Sequence, residues 1–119
     1  MNSFRFEELK IWQQSIELAD ELFEIADIAS DMKYYRFGEQ LRAAALSISN
    51  NIAEGSGSFS NKDFANFLSI ARKSLFECAN MLIIFQRKNI IDIEVKNNLF
   101  PRLIKLSSQI TNFRKSILK

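Results

Sequence analysis

Apolar residues recur at intervals of three and four positions along four long stretches of the chain, which is the pattern of amphipathic α-helices. These stretches predict helix one from about Glu7 to Ala29, helix two from about Phe37 to Glu54, helix three from Ser60 to about Arg87, and helix four from near Asp92 onward. The connections are short, and no segment alternates as a β-strand does. The sequence therefore predicts one all-α domain over residues 1–119, an antiparallel up-down-up-down four-helix bundle.

Several residues mark the expected helix ends. Ser60 and Asp92 are suited to cap the starts of helices three and four, and Asp63 stands three positions after Ser60, at capping-box spacing. Gly55 is able to take the left-handed conformation that often ends a helix, so it predicts the end of helix two. Pro101 lies inside helix four, where it is expected either to kink the helix or to separate a short lead-in.

The centre of helix two carries two neighbouring stripes. One is small and apolar and is predicted to be buried: Leu41, Ala44, Ala45, Ile48 and Ile52. The other is polar and runs along its edge: Gln40, Ser47, Asn51 and Glu54. Serine and asparagine are poor helix formers, so we expect tertiary contacts to use them. Three interpretations are open: the polar stripe hydrogen-bonds neighbouring helices or a second subunit, Glu54 and Asn51 belong to a ligand or catalytic site, or the stripe is simply solvated.

Helices one and three carry more apolar residues than one buried face needs. On helix one the additional line is Ile11, Leu18, Leu22, Ile25 and Ala29, and on helix three it is Ile70, Phe76, Ile83 and Ile84. Large exposed apolar patches usually mark interfaces. The surplus therefore predicts that copies of the chain associate.

Composition excludes several kinds of chemistry. Eleven Phe with only three Gly and one Pro favour a few long helices around an apolar core. There is no histidine and one cysteine, Cys78, so a zinc site and His-dependent catalysis are not expected, nor is an internal disulfide. The N-terminus has no apolar signal core, and no run is long enough to span a membrane. We expect a cytoplasmic protein without a cofactor or a metal.

Charge is unevenly distributed, although the net charge is only +2. Residues 1–60 carry ten acids and five bases, whereas residues 61–119 carry four acids and eleven bases. Such asymmetry indicates either a nucleic-acid-binding face on the basic half or acidic and basic helices that lie side by side. Helix four is basic and should neighbour the acidic helix one in the bundle, although each exposed pair contributes only about 0–1 kcal/mol.

Two segments resemble a known family. The residues FEELKIWQQSIELA at 6–19 and QLRAAALSISNNIAEGSG at 40–57 are similar to the 23S rRNA-intervening-sequence proteins, and residues 62–77 resemble the third helix of that family. The chain departs from the family pattern at Ser49, where proline is usual, and at Lys73, where glycine is common. The absence of proline at position 49 should straighten helix two or shift its kink. The residues that carry the family motif are Trp12, Arg42, Ser47, Asn51, Glu54 and Gly55.

The resemblance implies a helical bundle that assembles into a ring, commonly a homopentamer. It also implies a likeness to the accessory variability determinant proteins of diversity-generating retroelements, which are basic pentameric bundles that bind nucleic acid and a reverse transcriptase. Genes of some relatives lie inside insertions in ribosomal RNA genes. The family pattern defines no catalytic residues, so none is expected in this chain.

Three functional hypotheses follow. The first is a non-enzymatic, ring-forming scaffold or adaptor for a protein partner. The alternative is binding of RNA or DNA through basic residues of helices three and four: Arg72, Lys73, Arg87, Lys88, Lys105, Arg114 and Lys115. The third is an enzyme that uses Glu54 with Asn51 or Ser47, and the sequence offers no second carboxylate for such acid–base work.

Overall fold

The computed structural model describes residues 2–119 and shows four α-helices in them, with no β-strand. The helices are α1 (Lys10–Asp31), α2 (Tyr35–Ser56), α3 (Asn61–Arg87) and α4 (Ile93–Ile117), and a short 3₁₀ helix (Arg5–Glu8) precedes them. Each helix packs mainly on its two neighbours in the order α1, α2, α3, α4 and back to α1. The described chain measures 44 × 25 × 22 Å. The predicted up-down-up-down four-helix bundle is confirmed.

The predicted helix starts are correct for α3 and α4 and are displaced for α1 and α2. Ser60 Oγ accepts a hydrogen bond from the Asp63 amide at 3.1 Å, and Asp92 Oδ1 accepts one from the Val95 amide at 3.0 Å. Helix α1 begins at Lys10 rather than Glu7, because extended backbone at Leu9 separates it from the 3₁₀ helix. Helix α2 begins two residues before the predicted Phe37.

The α1–α2 and α3–α4 connections share one turn geometry. Lys33 and Asn89 have positive φ angles of 72° and 59°. The amide of the residue after each turns back to the helix, from Tyr34 to the Ala29 carbonyl at 2.8 Å and from Ile90 to the Phe85 carbonyl at 2.9 Å. This is the Schellman pattern that satisfies terminal carbonyls. Both helices therefore stop within one residue and reverse direction in a tight turn.

Gly55 does not end helix two, so that prediction was wrong. Helix α2 continues through Gly55 to Ser56, Gly57 follows as the C-cap with φ of −89°, and no glycine among the described residues has positive φ. A Cβ on Gly55 would lie 2.7 Å from Phe67 Cβ and 2.8 Å from Phe64 Cδ1. Glycine is required because helix α3 passes too close for any side chain.

Helix α4 is continuous through Pro101, so the predicted division into two segments does not occur. Pro101 is exposed on the outer side of the helix. Its ring nitrogen cannot donate a hydrogen bond to the carbonyl one turn earlier, which belongs to the exposed residue Asn97.

Buried apolar residues of all four helices form one core. The predicted small stripe of α2 is entirely buried. The predicted apolar surplus on helix one was wrong, because Ile11, Leu18, Leu22, Ile25 and Ala29 all lie in the core. Helix α1 packs against α2 on one side and α4 on the other, so its buried sector is wider than one seam. Ile28 of α1 and Leu46 of α2 are exposed, and α3 and α4 carry a larger set of exposed apolar residues: Ile70, Phe76, Ile83, Ile93, Val95 and Ile104.

Candidate functional site

The polar stripe of α2 makes a hydrogen-bonded contact with α3. Ser47 Oγ lies 2.8 Å from Ser74 Oγ, and Asn51 Nδ2 donates to Ser47 Oγ at 2.9 Å and to the Ser47 carbonyl at 2.8 Å. Ser74 is buried on α3. Ser47 therefore hydrogen-bonds across the interface, as one interpretation of the stripe predicts, whereas both Asn51 bonds stay within α2. Sequence reasoning missed Ser74 as the partner, although it interrupts the apolar face of α3 at the level of Ser47.

Glu54 stands apart from this contact. It is exposed and borders an open cavity of about 520 Å³ whose described lining also includes Phe4, Arg5 and Phe6. No second carboxylate belongs to that described lining. General acid–base chemistry needs a second ionisable group near the first. Among the described residues, the Glu54 side chain forms no hydrogen bond with Asn51 or Ser47, the partners that the enzyme hypothesis would need.

The other motif residues tie the N-terminal half together. Arg42 forms an ion pair from α2 to Asp27 on α1, and Arg42 Nη1 lies 3.5 Å from Ser30 Oγ. The Trp12 indole packs against Phe6 with ring centroids 5.0 Å apart, which joins α1 to the 3₁₀ helix. Gly38 allows α1 and α2 to approach, since a Cβ there would lie 2.8 Å from the Ala26 carbonyl oxygen. These contacts are structural.

The expected pairing of acidic helix one with basic helix four is confirmed. Arg102 on α4 forms a bidentate ion pair with Glu21 on α1, and one of the two bonds joins Nη1 to Oε1 at 2.9 Å. The hydrogen bond from Arg102 lowers the pKa of Glu21 below its ordinary value, although partial burial opposes this. Part of the charge asymmetry is therefore neutralised inside one molecule.

The seven basic residues that are candidates for binding nucleic acid lie at separate positions on α3 and α4. Arg72 and Lys73 lie near the middle of α3, whereas Arg87 and Lys88 lie at its end, about 20 Å away along the helix axis. Lys105 borders a small cavity with Glu17 of α1. The remaining two are Arg114 and Lys115 in the last turn of α4.

Arg114 already has a structural contact. Its side chain is half-buried, and Nε donates to the Ala65 carbonyl on α3 at 3.1 Å. This bond also fixes the alignment of the two antiparallel helices, with the end of α4 beside the start of α3. The structure thus does not gather the seven bases into one patch.

Helix α3 presents a line of exposed residues that we call the α3 stripe: Arg72, Phe76, Ile83 and Arg87. Steps of four, seven and four residues keep them on one side of the helix. The Arg72 guanidinium carbon lies 4.6 Å from the centroid of the Phe76 ring, which is a cation–π contact. Phe76 is 52% exposed. The stripe is therefore apolar in the middle and basic at both ends.

A groove of about 460 Å³ separates α1 from α4, and we call it the α1–α4 groove. Its apolar lining consists of Ile25, Ile28, Ile91, Val95 and Leu99, and its polar lining consists of Glu21, Glu24, Asp92, Glu94 and Asn98. Ile28 and Val95 are exposed in it. Of the four pairs of neighbouring helices, α1 and α4 touch least. The groove has an apolar floor and an acidic rim.

The remaining chemistry of residues 2–119 is sparse. No group of three or more His, Cys, Asp or Glu side chains in this range is placed to hold a metal ion. Cys78 is buried, and this burial raises the pKa of its thiol to about 12, so the reactive thiolate is suppressed. None of the helices in this range combines the length and the apolar content needed to cross a bilayer.

Comparison with known proteins decides the family. A family model described as 23S rRNA-intervening sequence protein matches residues 7–112. The chain belongs to the 23S rRNA-intervening sequence protein family. The match includes the motif positions in α1 and α2 as well as α3 and most of α4. The resemblance drawn from the first two helices is thereby confirmed.

Solved structures support the fold of this family member. The chain is similar to the crystal structure of a protein of unknown function from the S23 ribosomal protein family of Bacteroides thetaiotaomicron, with a TM-score of 0.83 and 23% sequence identity. The alignment covers 88% of this chain and 98% of that one. At this identity the similarity shows a common fold. A search of curated proteins finds no match.

Proposed function

We propose that this protein is a non-enzymatic scaffold whose copies associate into a ring that holds a protein partner. The observation that carries the proposal is the exposed apolar surface of α3 and α4. Phe76 is 52% exposed and Ile104 is 62% exposed, and both stand on long, regular helices whose core-facing positions are already filled. Side chains of this size, left in water on two adjacent helices, favour contact with another protein surface.

Other features fit a scaffold. The motif residues Ser47 and Asn51 are used in helix contacts, and Glu54 has no neighbouring acid with which to act. The resemblance implies a homopentamer, which is the stoichiometry we propose. A ring presents identical surfaces side by side, so weak contacts with a partner act together and avidity increases. The single Cys78 is compatible with the cytoplasm, which we propose as the compartment.

Binding of RNA or DNA through the basic residues of α3 and α4 is the alternative that the sequence raises. No contact among the described residues favours it over the scaffold.

Light scattering of the purified protein tests the proposal. The wild type is expected to be a monodisperse multimer, and Phe76→Gln with Ile104→Gln is expected to shift it toward monomer, because the exposed area that drives association is lost. Leu46→Gln is the matched control, since Leu46 is an exposed apolar residue on α2. A monomeric wild type at micromolar concentration overturns the proposal. A multimer that survives the double substitution places the contact elsewhere and also overturns it.

A further inference from the structure

The geometry points to a specific contact between copies: we infer that the α3 stripe of one molecule lies in the α1–α4 groove of the next. This inference rests on the proposed self-association and adds the two surfaces that meet. It follows from a match of shape, apolar content and charge between two separate parts of the same chain.

The groove is built to receive side chains. Ile28 and Val95 are exposed across it, while Ile25 and Leu99 close its floor. The two helices touch less here than at any other neighbouring pair, so the groove opens into a cavity of about 460 Å³. That volume is enough for two large apolar side chains, such as one Phe and one Ile. Water in an apolar groove of this kind is released when such residues enter it.

The stripe has matching dimensions. Phe76 and Ile83 lie about 10 Å apart along the axis of α3, because each residue advances a helix by about 1.5 Å. The α4 wall of the groove, from Asp92 to Leu99, has the same length of about 10 Å. The apolar pair of one molecule therefore spans the apolar floor of the other. Arg72 and Arg87 then lie beyond the two ends of the floor.

Charges on the two surfaces are opposite. In residues 2–119, Glu21 is occupied by Arg102, whereas Glu24 and Glu94 form no ion pair within the molecule. Arg72 and Arg87 likewise have no carboxylate partner in this range. Docking the stripe therefore places one arginine beyond each end of a groove whose rim is acidic. Opposite potentials of this kind fix the orientation of an interface and exclude wrong pairings.

The same charges disfavour a contact of like with like. Two grooves placed face to face would bring their glutamates together, and two stripes would do the same with their arginines. When two molecules associate through a groove and a stripe, the resulting dimer still has one free groove and one free stripe. Further copies therefore add head to tail, and a contact of this kind forms the proposed ring when the rotation between copies closes.

Charge reversal tests the inference in the full chain. The groove variant is Glu24→Lys with Glu94→Lys, and the stripe variant is Arg72→Glu with Arg87→Glu. Each is expected to weaken association about tenfold or more, since juxtaposed like charges cost several kcal/mol. The variant with all four substitutions restores opposite charges in exchanged positions, and its association is expected to return to near the wild-type level. Sedimentation equilibrium measures the three constants, and circular dichroism confirms that each variant is folded.

Matched controls separate this contact from a general charge effect. Glu39→Lys and Lys73→Glu reverse exposed charges on α2 and on another side of α3, and neither is expected to change association. Failure of the fourfold variant to recover, with both double variants folded and dissociated, overturns the inference. Multimers that persist in both double variants also overturn it while leaving the proposed self-association standing. A monomeric wild type removes the proposed function itself.

Discussion

The α2–α3 and α1–α4 interfaces belong to the same bundle and are built differently. Between α2 and α3, Gly55 admits the ring of Phe64 and the Cβ of Phe67, and Ser47 bonds to Ser74 across the contact. Between α1 and α4, the side chains leave a groove, and the principal polar link is an ion pair that is partly open to water. Gln109 on α4 also buries its side-chain oxygen with no hydrogen-bond partner among the described residues.

Side-chain size explains the difference. Helices α1, α2 and α3 place alanine or glycine at their contacts, including Ala26, Gly38, Ala45 and Ala71, all of them buried. Helix α4 contains neither alanine nor glycine between Ile93 and Ile117. Large residues on both sides hold two helix axes apart, and their gaps become surface grooves. The sequence of α4 therefore leaves an open groove at the expense of packing.

Replacing Gly55 by alanine is expected to break the close interface. The added Cβ would lie within 2.8 Å of atoms of Phe64 and Phe67, so α2 and α3 must move apart. Overpacking of this kind destabilises a protein by about 1–3 kcal/mol. Urea unfolding, followed by circular dichroism, measures the loss.

Gly57→Ala is the matched control for this prediction. A Cβ there meets only the Glu54 carbonyl oxygen at 3.4 Å, and the backbone is not left-handed. We expect a change of stability below about 0.5 kcal/mol. Equal effects of the two substitutions would show that helix propensity, rather than the approach of α3, determines the need for glycine.

The Ser47–Ser74 hydrogen bond is expected to contribute about 1 kcal/mol. Removing either hydroxyl alone leaves the other buried or half-buried without its interhelix partner, whereas Ser47→Ala with Ser74→Ala removes both. A double-mutant cycle, calculated from the free energies of unfolding in urea, gives the coupling free energy between the two hydroxyls. Strict additivity of the two single substitutions would mean that the contact adds no specificity to the α2–α3 interface. Ser56→Ala serves as the control, because its hydroxyl bonds within its own helix.

The Glu21–Arg102 ion pair is expected to contribute the least, below about 1 kcal/mol, because both side chains are partly exposed. Its effect depends on pH in a defined direction. The pKa of Glu21 is lowered in the folded protein, so the stabilisation is present above the ordinary value of 4.5 and disappears as pH falls through the folded value. Glu21→Gln should therefore be less stable than the wild type at pH 7.

The difference between the two proteins should vanish once the pH falls below the lowered pKa of Glu21, where the carboxylate is protonated in both the folded and unfolded states. Thermal unfolding at low salt over this range measures it. Glu39→Gln, an exposed carboxylate on α2 without an ion pair in residues 2–119, is the control. A difference from wild type that persists at low pH would mean that Glu21 contributes through packing rather than charge.

Sequence reasoning succeeded where periodicity alone decides the outcome. The buried stripe of α2 and the caps at Ser60 and Asp92 depend on residues that lie close together in the chain. Gly55 was misinterpreted because glycine serves both as a helix terminator and as a site of close approach. The choice between these roles was made by Phe64 and Phe67 on another helix.

The candidate surfaces were predictable only in part. An apolar excess was visible in the sequence, but amphipathic periodicity alone does not decide which part of it is buried. The second apolar line of α1 lies in the core, whereas Phe76 and Ile83 of α3 stay outside. The α1–α4 groove was not predicted at all. The feature that could have indicated it is the lack of alanine and glycine in α4, which an analysis of amphipathic periodicity does not consider.

The tight Schellman turns at Lys33 and Asn89 bear on the kinetics of folding. Closing a loop of so few residues costs little conformational entropy, so neighbouring helices meet readily. Proteins rich in such local contacts fold within microseconds to milliseconds. Encounters between separate chains are second order and slow down on dilution. Protein concentration, rather than folding of the individual chain, should therefore limit the rate at which the proposed assembly matures after synthesis.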